Sequence, residues 1–312
     1  MIIVFGSIDI DMVMPVGHFP KTGERVLCTA DYLSNPGGKG SNQAVAAARG
    51  GAKVAVVGKV GDDSFGRRCV NNLKNQSIWA SGIGISENRP TGCATIAVDS
   101  NGGNISIVAP GANLEATSDQ VPDEVLTSRN IILAQLEIPL KETFDVLQRA
   151  RKGGAITILN ASPAENMTRE ALHHVDYLLV NEIEARQLAQ NLGVKETDPR
   201  LIAKSIAQMG TNLTCIITLE SKGSVAVRGE DTYVVGTLKI EAVDTTGAGD
   251  AFCGIFAACL QAGHDWLKAM HYAGTGAALS CLGLGAQESM PFLEDIEPHI
   301  ANVPPPAPPR KV

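Results

Sequence analysis

Residues Asp244–Gly263 read DTTGAGDAFCGIFAACLQAG. Gly247, Ala248 and Gly249 crowd into a turn, and the apolar stretch after them has the length and the closing glycine, Gly263, of a helix. The small residues therefore stand at a helix N-terminus, where unpaired backbone N–H groups and the helix dipole favour an anion. Asp250 sits in the same turn. A carboxylate repels a resting phosphate, so anion binding alone does not explain it. Two readings account for it equally well at this level. It caps its own helix, or it takes a proton from a hydroxyl attacking a phosphoryl group held by the small residues.

Working outward from that turn, short apolar runs read as buried strands at Ile2–Gly6, Lys53–Gly61, Asn130–Leu136, Ala155–Asn160, Tyr177–Asn181 and Thr214–Leu219. Between them lie helical patterns at Ser41–Gly51, Pro139–Gly154 and two amphipathic stretches beginning at Asn181 and Pro199. Strands alternating with helices predict βαβ units and an α/β fold with a mostly parallel sheet. Two segments break the rhythm. Arg25–Ser34 and Thr91–Gly111 read as antiparallel strands, the second a hairpin turning at DSNGGN, Asp99–Asn104. Together they predict a small β flap that covers a site or pairs with another subunit. The Pro-rich tail Val303–Val312 reads as a frayed terminus in preference to a polyproline ligand.

Composition narrows the function. The 312 residues carry a net charge of −7 and are 44% hydrophobic, mainly aliphatic, with only 4% aromatics, which suits a layered α/β protein. No basic run exceeds the GRR at Gly66–Arg68, so nucleic acid is not an expected partner. The seven cysteines are odd in number and show no CxxC spacing, which argues for a reducing compartment over a zinc site or a disulfide framework. Cys253 reads as a small buried apolar residue. Aspartates interrupt the apolar N-terminus, and no run approaches the ~18 residues of a membrane span. The expectation is a cytoplasmic protein with no membrane partner. Other phosphate loops fail on inspection. NPGGKGSN (Asn35–Asn42) has Gly40 after Lys39 and Leu33 where a Walker loop needs its first glycine, and GAGDAF puts Phe252 at the last glycine of a dinucleotide fingerprint.

DTTGAGDAFCG (Asp244–Gly254) resembles the C-terminal signature of the ribokinase-like (PfkB-type) carbohydrate kinases, and GGKGSNQAVAAARGG (Gly37–Gly51) their N-terminal one. NEIE (Asn181–Glu184) and GAQES (Gly285–Ser289) fall in the family's order, and GSIDID, AQLEIP and NASPA look most like its ribokinase branch. The resemblance covers nearly the whole chain. It implies one three-layer α/β/α domain over residues 1–312, with a small β-sheet lid from insertions at about 10–36 and 90–112, and the tail at 303–312. It implies ATP-dependent phosphorylation of a primary hydroxyl, foremost D-ribose to D-ribose 5-phosphate, with another sugar or a nucleoside as the alternative acceptor and a non-catalytic sugar binder behind both.

By the same resemblance Asp250 is the base, and Gly247, Ala248 and Gly249 form the anion hole. Asp9, Asp11, Gly38, Lys39, Asn42 and Glu137 contact the sugar beside Asp250. Asn181, Glu184, Thr218, Gly223, Gly247, Gly249 and Gly274 serve ATP, with Glu184 organising Mg²⁺ through water. Asp244, Thr246, Ser280, Gly283, Gly285 and Ser289 hold K⁺, and the lid strands form a homodimer. The chain departs from the family at Asp9, where asparagine is usual, at Glu220, where glycine is usual, and at Gly274, where an adenine-side asparagine is usual. These departures leave the choice of sugar and the adenosine contacts open.

Overall fold

The computed structural model describes residues 1–99, 103–164 and 167–311. Ile2–Phe5 is buried along its whole length, and alternate residues enter different apolar clusters. Ile3 and Phe5 face one, while Ile2 and Val4 face the other. A strand buried on both faces requires a layer of structure on each side.

In chain order the strands are β1 (Ile2–Phe5), β2 (Asp9–Pro15), β3 (Leu33–Gly37), β4 (Val54–Gly61), β5 (Trp79–Ser86), β6 (Gly92–Val98), β7 (Asn104–Ala109), β8 (Ile131–Ala134), β9 (Ile156–Asn160), β10 (Tyr177–Asn181), β11 (Thr214–Thr218), β12 (Ser224–Arg228), β13 (Asp231–Val235) and β14 (Arg310–Lys311). The helices longer than two turns are α1 (Lys39–Arg49), α2 (Ser64–Asn75), α3 (Leu140–Gly153), α4 (Glu182–Leu192), α5 (Pro199–Ala207), α6 (Ala248–Gln261) and α7 (Trp266–Ser280). Ten strands form one sheet in the order β14-β13-β12-β11-β10-β9-β8-β1-β4-β5. It is parallel from β5 through β11, and β12–β14 close it antiparallel.

Val146 and Leu147 of α3, Leu188 of α4 and Ile202 of α5 cover one face. Ala44–Ala47 of α1, Leu73 of α2, Phe256 of α6 and Met270 of α7 cover the other. The three-layer α/β/α expectation therefore holds. Each buried Leu or Phe in these layers contributes about 2 kcal/mol. The remaining strands form a smaller sheet in the order β3-β2-β6-β7. Among the described residues no helix is long and apolar enough to cross a membrane.

Three details differ from the sequence reading. Arg25–Tyr32 is not a strand: it touches the small sheet only through the bridge Val16–Cys28, and pairing with β2 begins at Leu33. Leu27 is 81% exposed, so this stretch has no face to bury and nothing to favour a ladder. The tail is not frayed. Ala307 N–H donates to the Val234 carbonyl (3.2 Å), and β14 pairs with Asp231 and Thr232. It satisfies the open edge that β13 otherwise presents. Strands β5, β12 and β13 carried no clear sequence signal and were not anticipated. The hairpin β6–β7 forms, with Asp99 N–H bonded to Gly103 (3.0 Å), while Ser100–Gly102 of its expected turn lie outside the described residues.

Candidate active site

The chain proceeds from β1 to β4 on one side and from β8 to β9 on the other, so a crevice opens at the carboxyl ends of β1 and β8. Open α/β sheets bind ligands at such a switch point. Ser7 and Asp9 follow β1, Gln135 and Glu137 follow β8, and Asn160, Asn181 and Thr218 end β9, β10 and β11. A cleft of about 180 Å³ there is lined by Lys39, Asn181, Glu184, Thr218, Gly249 and Asp250, with Gly247, Asn160 and Cys253 beside them.

Gly247 begins α6 in the left-handed region, at φ 78°, with no side chain capping the helix. Glycine takes that conformation without the penalty a Cβ imposes. Among the described residues the N–H groups of Gly247, Gly249 and Asp250 have no partner, whereas Ala248 N–H donates to the Thr245 carbonyl at 3.2 Å. Ala248 is thus a committed donor, unlike its neighbours. A Cβ on Gly249 would meet nothing within 4 Å, and Gly247, Gly249 and Asp250 all line the cleft.

Asp250 does not cap its helix. It is 7% exposed, and its carboxylate accepts from Asn42 Nδ2 (3.0 Å) and Gln43 Nε2 (2.9 Å), both on α1. Burial pushes its proton affinity up, and Glu137 adds to this. Lys39, Gln43 and Asn42 oppose the rise without cancelling it. Gln43 is itself held, accepting from Gln135 Nε2 (2.7 Å) and donating to Asn160 Oδ1 (3.0 Å). Asn42 does not cap α1 either, since Gly38, at φ 87°, is the cap position and no side chain bonds there.

Acids and one ammonium gather on the β1–β2 side. Asp9 is 3% exposed and accepts from Asn113 Nδ2 at 2.5 Å. Burial, then Glu137 and Asp11, push its carboxyl up to about 8. Asp11 rises to about 7 through burial and the facing Asp250. Burial works against the Lys39 ammonium, but Asp250 and Glu137 overcome it and keep Lys39 protonated. Lys39 Nζ lies 3.8 Å from Glu137 Oε1. Glu137 Oε2 accepts from Ser7 Oγ (2.6 Å) and Lys39 N–H (3.3 Å). Lys39 and Asp250 belong both to this cluster and to the cleft, joining a region of mixed donors and acceptors to the uncapped helix start.

At the opposite wall Asn181 Oδ1 accepts from Glu184 N–H (2.8 Å) and Glu184 Oε2 from Asn181 N–H (2.9 Å), a reciprocal helix cap. Among the described residues Glu184 Oε1 has no hydrogen-bond partner, and Glu184 lines the cleft. Thr218 lines the cleft too, but Gly223 and Gly274 do not. Gly223, at φ 88°, lies against the Val235 carbonyl, and the Gly274 carbonyl accepts from Thr237 Oγ1 at 2.8 Å. Asp244 straps two loops together: Oδ1 accepts from Thr246 N–H and Oδ2 from Gly285 N–H, each at 2.9 Å. Burial raises its carboxyl, but these hydrogen bonds outweigh it and leave it below the usual range. Ser289 Oγ donates to the Gly285 carbonyl (2.6 Å), Gly283 packs on Ser289, and Ser280 Oγ donates to the Ala277 carbonyl (2.8 Å). This neighbourhood offers carbonyl, hydroxyl and carboxylate oxygens, the ligand class of hard cations. Sequence reading missed Ser7, Gln43, Asn113, Gln135, Asn160 and Gln287. Of these only Asn113 lay outside the quoted motifs: Ser7 lies in GSIDID, Gln43 in GGKGSNQAVAAARGG, Gln135 in AQLEIP, Asn160 in NASPA and Gln287 in GAQES, and nothing local marked their side chains as ordered.

An uncapped helix start beside a buried carboxylate, with a polyol-like cluster of acids and amides next to it, defines a group-transfer site for an anionic donor and a hydroxylated acceptor. The sequence matches the pfkB family carbohydrate kinases over residues 1–293. It is 36% identical to the ribokinase of Bacillus subtilis over 298 residues, covering 95% of this chain and 98% of that one. Among solved structures, ribokinase from Thermotoga maritima superposes with a TM-score of 0.89 at 34% identity, covering 96% of this chain and 99% of that one. Arabidopsis thaliana ribokinase, complexed with ribose and ATP, superposes with a TM-score of 0.84 at 28% identity, covering 96% and 98%. The chain belongs to the pfkB family of carbohydrate kinases.

Proposed function

We propose that this protein transfers the γ-phosphoryl group of ATP to the primary hydroxyl of D-ribose, giving D-ribose 5-phosphate and ADP. The hydroxyl oxygen bonds to the γ-phosphorus, the bond to the bridging oxygen of ADP breaks, and the hydroxyl proton passes to Asp250. The observation that carries this reading is the buried Asp250 carboxylate, held by two amide donors beside an uncapped helix start. The N–H groups of Gly247, Gly249 and Asp250 then stabilise charge on the migrating phosphoryl group, with Ala248 shaping the turn. Asp9, Asp11, Asn42 and Glu137 hold the sugar hydroxyls, Lys39 spans sugar and phosphate, and Gly38 lets the backbone approach. Thr218, Gly223 and Gly274 lie on the nucleotide side.

Asn181 and Glu184 fit a hydrated Mg²⁺, because Glu184 keeps one oxygen free while the other caps its helix. The ion, when bound, offsets negative charge on the ATP phosphates. Asp244, Thr246, Ser280, Gly283, Gly285 and Ser289 fit a monovalent cation, K⁺, whose loops abut the anion hole. The four-stranded sheet serves as the lid, shielding the transfer from water. Its exposed Leu33, Ile107 and Val108 support pairing with a second subunit. Asp9 favours a second reading, a kinase for a related sugar, because a carboxyl there changes the polar complement to the acceptor.

ADP release measured with D-ribose, 2-deoxy-D-ribose, D-fructose and a nucleoside under Mg²⁺ and K⁺ separates the readings. D-ribose is expected to give the highest kcat/KM. Asp250→Ala is expected to lower kcat by roughly 10²–10⁴-fold, and near-parent turnover in the folded variant would falsify Asp250 as the base.

A further inference from the structure

Asp250 receives one of its two donors from Asn42, and Asn42 is not free to choose how its amide points. A carboxylate offers only acceptors, so Asn42 must present Nδ2 to it, which turns Oδ1 away toward whatever donor stands behind. That donor is Gln287 Nε2, at 2.9 Å, which also donates to Ser41 Oγ at 2.8 Å. Gln287 is 4% exposed and its amide is fixed in turn, because Oε1 accepts from Asn72 Nδ2 at 2.7 Å. The result is a one-directional chain of carboxamides, Asn72 to Gln287 to Asn42 to Asp250, in which every donor points toward the carboxylate. Gln287 belongs to the loop that follows α7, two residues after the Gly285 amide bound by Asp244.

We infer that Gln287 is a positioning residue for phosphoryl transfer: acting through Asn42, it holds the Asp250 carboxylate in the orientation that receives the hydroxyl proton, and it ties the 281–290 loop to the reacting group. This rests on the reading of Asp250 as the base. Without the Gln287 donor, Asn42 gains nothing by keeping its Oδ1 turned away. The amide rotates or loses order, and Asp250 loses a hydrogen bond that favours its charged form. The other groups facing Asp250 stay in place: Lys39 from α1, Glu137 after β8, Asp11 on β2 and Cys253 on α6.

The test is the pH profile of kcat/KM for sugar phosphorylation in Gln287→Met, a substitution of similar size that cannot donate, and in the same change made on Asn42→Ala. The acid limb of Gln287→Met is expected to move upward by about half a unit to one unit, because a weaker set of donors raises the proton affinity of the base. The rate on the acid limb is expected to fall by about three- to tenfold, the factor that shift implies. On Asn42→Ala the second change moves the limb no further, since the effect passes through Asn42. An unmoved limb in Gln287→Met, with only a lower melting temperature, makes Gln287 structural and overturns the inference, as does full additivity with Asn42→Ala. Should Gln287→Met not fold, Asn72→Ala at its half-buried position gives the same readout with a smaller upward shift, and no shift there overturns the inference. Near-parent turnover in Asp250→Ala sinks the base assignment itself. An inactive Asp250→Ala together with an unmoved limb in Gln287→Met sinks this inference alone.

Discussion

Glu220 occupies φ 51°, a left-handed backbone conformation that costs a side-chain-bearing residue about 1–2 kcal/mol. The sequence resemblance marked this position as one where glycine is usual, and the backbone supplies the reason. Glu220→Gly is expected to stabilise the fold by a net ~0.5–1 kcal/mol, because relief of strain exceeds the added chain entropy of glycine. Urea unfolding checks this, and a lower midpoint in Glu220→Gly would mean that the carboxylate makes contacts worth more than the strain. Asp250 shows how far a single residue was legible. Its place in a glycine-rich helix start could be read directly, but the choice between cap and base could not. That choice depends on Asn42 and Gln43, which approach from another helix.

At the scale of elements, the site depends on how closely α1 and α6 approach, because α1 carries Asn42 and Gln43 while α6 carries Asp250. Gly254 permits the approach. A Cβ there would stand 2.6 Å from Ala46 Cβ and 2.8 Å from Ala47 N. Gly254→Val therefore pushes the helices apart and is expected to cost about 3 kcal/mol of overpacking. It should also lower kcat well beyond what the lost stability explains, measured at a temperature where the variant is fully folded. Unchanged kcat in that variant would show that the α1–α6 spacing does not hold the base. The alternating strands and helices were legible because each element has its own local period and stop signals. The missed elements, β5, β12, β13 and β14, lie toward the edges of the sheet. β12 is buried from Ser224 to Val227 and takes its place by pairing with β11, while β14 depends on the open edge of β13.

Across the whole molecule, the clustered acids make stability depend on pH in a definite direction. Asp9 and Asp11 titrate at about 8 and about 7 in the folded protein, and Asp250 is raised too. Unfolded carboxylates titrate near 4. Between these limits the folded state holds more protons than the unfolded chain, so stability falls as pH rises from about 4 through about 8 and then levels off. Asp63 and Asp244 are lowered and act oppositely, their contribution being lost as pH falls below about 4. Without ligands the protein is expected to be more stable at pH 5 than at pH 7 or 9, and Asp9→Asn should flatten the decline toward pH 8. Melting temperatures at pH 5, 7 and 9 check both points. A parent protein that grows more stable from pH 5 to pH 8 would contradict the buried-acid account.

The alternation of core strands and helices along the chain, the glycine turn at a helix start and the acid within it were set by the sequence alone, because each arises from neighbours a few residues apart. Tertiary structure decided which polar groups meet. Gln287 reaches Asn42 across 245 residues of chain, Asn113 reaches Asp9 across 104, and the tail finds β13 only because that edge is open. No local pattern encodes such contacts. A carboxamide has no preferred partner until folding removes water and leaves each donor one acceptor within reach.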